Sequence, residues 1–290
     1  MPAQAIEIRG LRKSYPTFTL GPLDLTVPAG AIYGFVGPNG AGKTTTIDLI
    51  FGMGSKDAGS ISVLGCDHLR DEIAMKRQVG YVSPELNFRP WGTVGRAIDF
   101  VRGFYPSWDP GYCDQLQAAL DVRAHENVAA LSFGARVKLA LILALSWRPR
   151  VLVLDEPTAG LDAISKRQIF TELLTAVQDE NRTVFISSHA ISDLERFADH
   201  IGMLKNGRLL FEGPVAEITE RYRLVDVMTE GGVQLAPQPG IVVQDHEANR
   251  WRLLVDRRTG PLNALLPRGA HEVGDAPVSL EDLFITLGRP

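Results

Sequence analysis

The stretch that most constrains this chain is GPNGAGKT, Gly37 to Thr44, set between the short apolar run AIYGFV and the run TTIDLIFGM. The apolar run fits a buried strand and the run after it fits a helix. Gly37, Pro38, Asn39, Gly40, Ala41 and Gly42 then form a tight loop that delivers Lys43, Thr44 and Thr45 to a helix start. Glycines allow backbone conformations that a Cβ forbids, so successive N–H groups can converge on phosphate oxygens. The helix adds the positive end of its dipole. Lys43 supplies a point charge for the β- and γ-phosphates of a nucleoside triphosphate, and the Thr44 hydroxyl can take a place on Mg2+. A strand–loop–helix unit of an α/β fold is the context this motif requires.

VLVLDE, residues 151–156, buries four apolar residues and then delivers two carboxylates to a strand end, where ligands sit on open α/β sheets. Asp155 is placed to hold a metal, and Glu156 to orient or deprotonate an attacking water. TVFISSH ends a neighbouring strand in His189. A lone histidine there is often only a polar cap; its order after a second buried strand favours a γ-phosphate contact. Strands alternating with helical patterns predict a mostly parallel sheet covered on both faces, preceded by N-terminal antiparallel strands. Helical periodicity broken at Pro106 and Pro110 marks an inserted helical subdomain at about 86–148. Near Arg223 the texture changes again. IVVQDHEANRWRLLVD suggests a hairpin, and VSLEDLFITL a last helix with Ser279 at its N-cap. The expected organisation is a nucleotide-binding domain over 1–222 and a small α+β accessory domain over 223–290.

Composition narrows the partners. A net charge of −4 over 290 residues excludes a general nucleic-acid binder, which needs a basic face. Two cysteines make no disulfide scaffold and point to a reducing compartment. The N-terminus has no basic-then-apolar signal pattern, and no run approaches the ~20 apolar residues that span a bilayer. Any membrane role is expected to go through a partner.

A second candidate phosphate cradle is LSFGA, residues 131–135, opening the run RVKLALILALSW. Ser132 and Gly134 at a helix start can hold an anion, or Ser132 can simply cap its own helix. With GPNGAGKTT, LSFGA, VLVLDEPTAGLD and SSH in this order, the chain resembles the nucleotide-binding subunit of an ABC transporter over about residues 5–220. Its single nucleotide domain, its GLD loop and its C-terminal SLEDLFITL are most similar to ABC-2-type exporters.

The resemblance implies a P-loop NTPase core that binds ATP with Mg2+. Tyr15 lies where the family stacks an aromatic ring on adenine. Lys43, Thr44, Asp155, Glu156 and His189 match its catalytic positions, and Asp162 its interface-crossing loop. Leu131, Ser132, Phe133, Gly134 and Ala135 match the signature motif, which caps the γ-phosphate held by a second ATPase subunit in a homodimer or heterodimer. Such a dimer drives an integral-membrane permease from the cytoplasmic face of the cell membrane. In the aromatic stretch from Leu86 to Trp108, Phe88 and Trp91 are the expected permease contacts.

Two departures stand out. Phe133 and Ala135 replace the third and fifth residues of the usual LSGGQ. After VGYV the family carries a Gln that touches Mg2+; here Pro84 occupies that place with Glu85 beside it, so either Glu85 substitutes or this contact is lost. Two other readings stay open: a non-transport ATPase of the same superfamily acting in translation or DNA repair, and a regulator that binds nucleotide without hydrolysing it. One P-loop and no heptad run disfavour the first; Glu156 and His189 disfavour the second.

Overall fold

Alternating apolar residues make half-buried strands and continuous apolar runs make wholly buried ones, and here the two patterns separate into different sheets. The computed structural model describes residues 4–83, 85–86, 88–180, 182–230, 233, 235, 238–261 and 266–287. The alternating segments β1 (Gln4–Tyr15) and β2 (Phe18–Pro28) pair as an antiparallel hairpin. With β4 (Ala58–Val63) and β5 (Cys66–Asp67) they form a sheet of order β2-β1-β4-β5. The continuous runs β3 (Ile32–Val36), β7 (Val151–Asp155) and β8 (Thr183–Ser188) are buried at every residue. Together with β6 (Val79–Val82), β9 (His200–Lys205) and β10 (Arg208–Pro214) they form the second sheet, of order β10-β9-β3-β8-β7-β6. Strands β9, β3, β8, β7 and β6 run parallel. Phe185 anchors this sheet, stacked on Tyr33 at 5.6 Å and tilted against Phe35 at 5.4 Å between ring centroids.

Helix α1 (Lys43–Ile50) follows β3 directly, and α2 (Glu72–Lys76) precedes β6. Three further helices occupy the stretch expected to be helical. Thr93 caps α3 (Val94–Arg102), Asp109 caps α4 (Pro110–Leu120) with Pro110 in its first turn, and Ser132 caps α5 (Phe133–Leu145). A proline there loses nothing, because the first-turn N–H groups have no intrahelical acceptor. Helix α6 (Ala163–Glu180) connects β7 to β8, and α7 (Ile191–Leu194) follows β8. No helix among the described residues is long and apolar enough to cross a membrane.

The chain divides into two compact units, Met1–Glu212 and Gly213–Pro290. The boundary read from the sequence, between 222 and 223, lies inside the second unit, because α8 (Val215–Arg221) leads without a break into β11 (Tyr222–Thr229). In that unit β12 (Ile241–Glu247) and β13 (Arg250–Asp256) form the expected hairpin, and β14 (Ala270–Pro277) completes a sheet of order β12-β13-β11-β14. Its core is Val225, Val227, Ile241, Trp251, Leu253 and Val255. Ser279 caps the last helix, α9 (Leu280–Leu287), accepting from the Asp282 N–H at 3.0 Å.

Phe185→Ala removes the ring that joins Tyr33 to Phe35 and is expected to cost about 3–5 kcal/mol. Urea unfolding followed by near-ultraviolet circular dichroism will read this as a lower midpoint for the first unit.

Candidate active site

The strand order brings three loops to one place. In the parallel register Val36 lies opposite Ser188, and Asp155 opposite Ser187, so the C-terminal ends of β3, β8 and β7 are level. The loop 37–42 leaves the first, His189 the second and Glu156 the third. The loop is stitched to its surroundings. Gly37 N–H donates to Ser188 O at 3.2 Å, Ala41 N–H to Pro38 O at 3.1 Å, and Gly207 N–H to Ala41 O at 3.0 Å. A Cβ on Gly37 would stand 2.2 Å from the Leu204 carbonyl oxygen, so only glycine fits. Gly42 precedes α1 at φ 109°, with Phe18 and Leu20 of the β1–β2 hairpin packed where its side chain would be. Because Gly42 offers no capping side chain, the first N–H groups of α1 stay available to an anion. Asn39 and Gly40 form the exposed turn of the loop, and Thr45 lies half-buried in the first helical turn.

Lys43 is 5% exposed and donates to Gly37 O at 2.7 Å and Pro38 O at 3.2 Å. Its Nζ also lies 3.0 Å from Glu156 Oε1. The other Glu156 oxygen, Oε2, is 2.8 Å from His189 Nδ1 and accepts from the His189 N–H at 3.3 Å. Glu156 itself sits at φ 47°, in the left-handed region that a non-glycine residue enters only when its surroundings hold it there. That turn swings its carboxylate away from the line of β7 toward Lys43 and His189. Thr44 Oγ1 donates to Asp155 Oδ2 at 2.9 Å. A hydroxyl and a carboxylate oxygen side by side at a phosphate loop are hard donors of the kind Mg2+ takes alongside phosphate oxygens. No larger set of metal-holding side chains occurs among the described residues.

Two neighbours escaped sequence reasoning. Ser187, fully buried, donates to Asp155 Oδ1 at 2.5 Å and accepts from the Glu156 N–H at 2.9 Å, so one hydroxyl sets both carboxylate-bearing residues. Asp48 lies one helical turn beyond Thr44. Burial, then the Asp155 charge, then the Glu85 charge raise its carboxyl above the ordinary range. Glu85 is therefore near the metal-side carboxylates. Its N–H donates to Ser83 Oγ at 3.2 Å, while Pro84 lies outside the described residues.

Among the described residues no hydrogen bond or ion pair joins the remaining candidates to this cluster. Ser132 Oγ accepts from the Ala135 N–H at 3.1 Å, as an N-cap does. Leu131 is buried, Phe133 is exposed, and Gly134 packs against Leu161, where a Cβ would meet its side chain at 3.3 Å. Among the described residues no hydrogen bond or ion pair joins 131–135 to 37–45. Asp162 accepts from Ile164 N and Ser165 N at the start of α6, and these bonds, with that from the Ser165 hydroxyl, hold its carboxyl below the usual range. Tyr15, 46% exposed, stands at the tip of the β1–β2 hairpin with Lys13 Nζ 5.5 Å from its ring centroid. Phe88 and Trp91 are half-buried in an aromatic row, Phe88–Trp91–Phe100–Phe104, with successive centroids 5.7, 4.9 and 5.1 Å apart. The exposed members are Phe100 and Phe104.

A family model described as ABC transporter matches residues 20–159. The Nod factor export ATP-binding protein I of Burkholderia lata is 31% identical over 307 residues, covering 99% of this chain and 98% of that one. The ABC transporter ATP-binding protein YtrB of Bacillus subtilis is 28% identical over 286 residues and 97% of each chain. Among solved structures, a dimeric ATP-binding cassette in a post-hydrolysis state with ADP and Pi has a similar fold. Its TM-score is 0.65 at 20% identity, over 72% of this chain and 98% of that one.

Ser187→Ala leaves Asp155 and the Glu156 N–H without their shared hydroxyl. A steady-state phosphate-release assay is expected to show turnover reduced about tenfold, the effect of about 1.4 kcal/mol on the barrier.

Proposed function

This chain belongs to the ATP-binding proteins of the ABC transporter family and is an ATPase, and from that premise we propose that two such subunits close around two ATP molecules to drive a membrane permease. The observation that carries the reading is the convergence of Lys43, Thr44, Asp155, Glu156 and His189 at the ends of adjacent parallel strands. The loop N–H groups and Lys43 bind the β- and γ-phosphates, and Tyr15 takes the adenine face. Thr44 and Asp155 would hold Mg2+, with Glu85 a further carboxylate that could join them; the ion, when bound, offsets phosphate charge.

Lys43 now holds Glu156 Oε1 as well as the loop carbonyls. A triphosphate competes for the same ammonium and frees that oxygen to face a water. Glu156 orients the water and takes its proton as the water oxygen attacks the γ-phosphorus and ADP leaves. His189 fixes the other Glu156 oxygen and stands ready to meet the γ-phosphate.

LSFGA completes the site from the opposite subunit. The Ser132 oxygen accepts from its own helix, so its O–H proton remains available to a phosphate oxygen. An isologous pair places each signature helix over the nucleotide of the other chain. Moving such a pair from mostly open to mostly closed takes about 5.5 kcal/mol of differential affinity. Charge-assisted hydrogen bonds at roughly 1.5–3 kcal/mol each supply it from two bound nucleotides. The row from Phe88 to Phe104, exposed at Phe100 and Phe104, is the surface offered to the permease. The names of relatives such as the Nod factor export protein support export as the direction. The chain then works on the cytoplasmic face of the membrane that holds the permease.

Glu156→Gln is expected to bind ATP, hydrolyse it at least a hundredfold more slowly and accumulate as a dimer in sedimentation with Mg·ATP; rapid turnover would remove Glu156 from the chemistry. Ser132→Arg is expected to keep nucleotide affinity within about twofold while abolishing turnover. Equal loss of both, read by equilibrium binding and phosphate release, would mean the motif acts within one chain.

A further inference from the structure

We infer that Arg136, seated on Phe133, is a phosphate-binding residue that reaches the γ-phosphate of the nucleoside triphosphate held by a second copy of the chain. The inference rests on the proposed dimer. It begins with the departure at residue 133, where a large ring stands in place of the family's glycine. Phe133 opens α5 and is 39% exposed. Arg136 lies in the same helical turn. Side chains on a helix lean toward its N-terminus, and this one follows the rule: its guanidinium carbon is 5.9 Å from the Phe133 ring centroid, and Nη1 donates to Leu131 O at 2.9 Å. Ring and carbonyl therefore fix a cation beside the Ser132 cap.

That is the end of a helix where a cation is least favoured, because the exposed N–H groups already carry positive charge. The first turn of α5 contains no acidic residue, and among the described residues no carboxylate pairs with Arg136. In an isolated chain the Leu131 carbonyl and the Phe133 ring hold the guanidinium there, with no carboxylate among the described residues to offset its charge. An incoming anion reverses the balance: the helix end, the Ser132 hydroxyl and the planar fork of Arg136 then all point positive charge or donors at one group. Phosphate oxygens match that fork in a bidentate way. The ring explains the departure from glycine. It is a rigid platform that keeps the guanidinium at the helix start instead of free in solvent.

The test uses the full chain carrying Glu156→Gln, titrated with Mg·ATP and followed by sedimentation velocity. Adding Arg136→Gln is expected to raise the ATP concentration for half-dimerisation at least tenfold. Adding Arg136→Lys, which keeps the charge without the fork, is expected to raise it a few-fold. Phe133→Gly, which removes only the platform, is expected to fall between them. Binding of a fluorescent ATP analogue at protein concentrations too dilute to dimerise is expected to stay unchanged in all three, and their urea midpoints to match the parent. A shift under twofold for both Arg136→Gln and Phe133→Gly, with the Glu156→Gln parent dimerising normally, overturns the role of Arg136 alone. Weakened analogue binding by the dilute Arg136→Gln chain places the residue at its own nucleotide and also overturns it. A parent that never dimerises overturns the dimer and this inference together.

Discussion

The level register of three parallel strands is the constraint on which the site depends. Because β8 runs between β3 and β7, the hydroxyl of Ser187 lies opposite Asp155 and the carbonyl of Ser188 opposite Val36. One strand thereby ties the phosphate loop to the acidic pair. A slip of one residue in a strand turns every side chain to the opposite face, so it would separate Thr44 from Asp155 and Lys43 from Glu156 at once. The stack of Tyr33 and Phe35 on β3 with Phe185 on β8 resists that slip between these two strands. Apolar packing in the middle of the sheet thus acts directly on the distances between charged groups at its edge.

Much of this was legible in the chain itself. Gly37–Thr44, Asp155, Glu156 and His189 announce themselves because each follows an apolar run, and such runs deliver what comes next to one end of a sheet. The helical character of the inserted stretch was equally plain from periodicity. What could not be read was adjacency. Nothing in the order of residues says that β8 enters between β3 and β7, so Ser187 looked like any serine before a histidine. Asp48 had a faint signal, its spacing of one helical turn from Thr44, but a meaning only once Asp155 and Glu85 were brought near. In the aromatic stretch, composition marked the region, while the structure leaves Phe88 and Trp91 half-buried and Phe100 and Phe104 more exposed. Which side of an amphipathic helix stays uncovered depends on neighbours that local sequence does not name.

The two candidate anion sites are built on the same physics with opposite settings. At α1 the residue before the helix is a glycine, so no side chain competes for the first N–H groups. At α5 a serine caps one N–H and leaves its proton free, while a ring and a guanidinium crowd the same end. The first arrangement encloses several phosphate oxygens in one loop. The second presents a small, pre-charged tip suited to touching a phosphate already held elsewhere.

The tight seating of Gly37 has one more consequence. Its backbone is wedged against the Leu204 carbonyl, and the loop beyond it is laced to the turn at Gly207. Such a cradle behaves as a fixed anvil: fuel arrives at a mould that is already cast, and little of the grip is consumed in shaping it. Whatever movement the machine makes must come from pieces that the mould does not clamp.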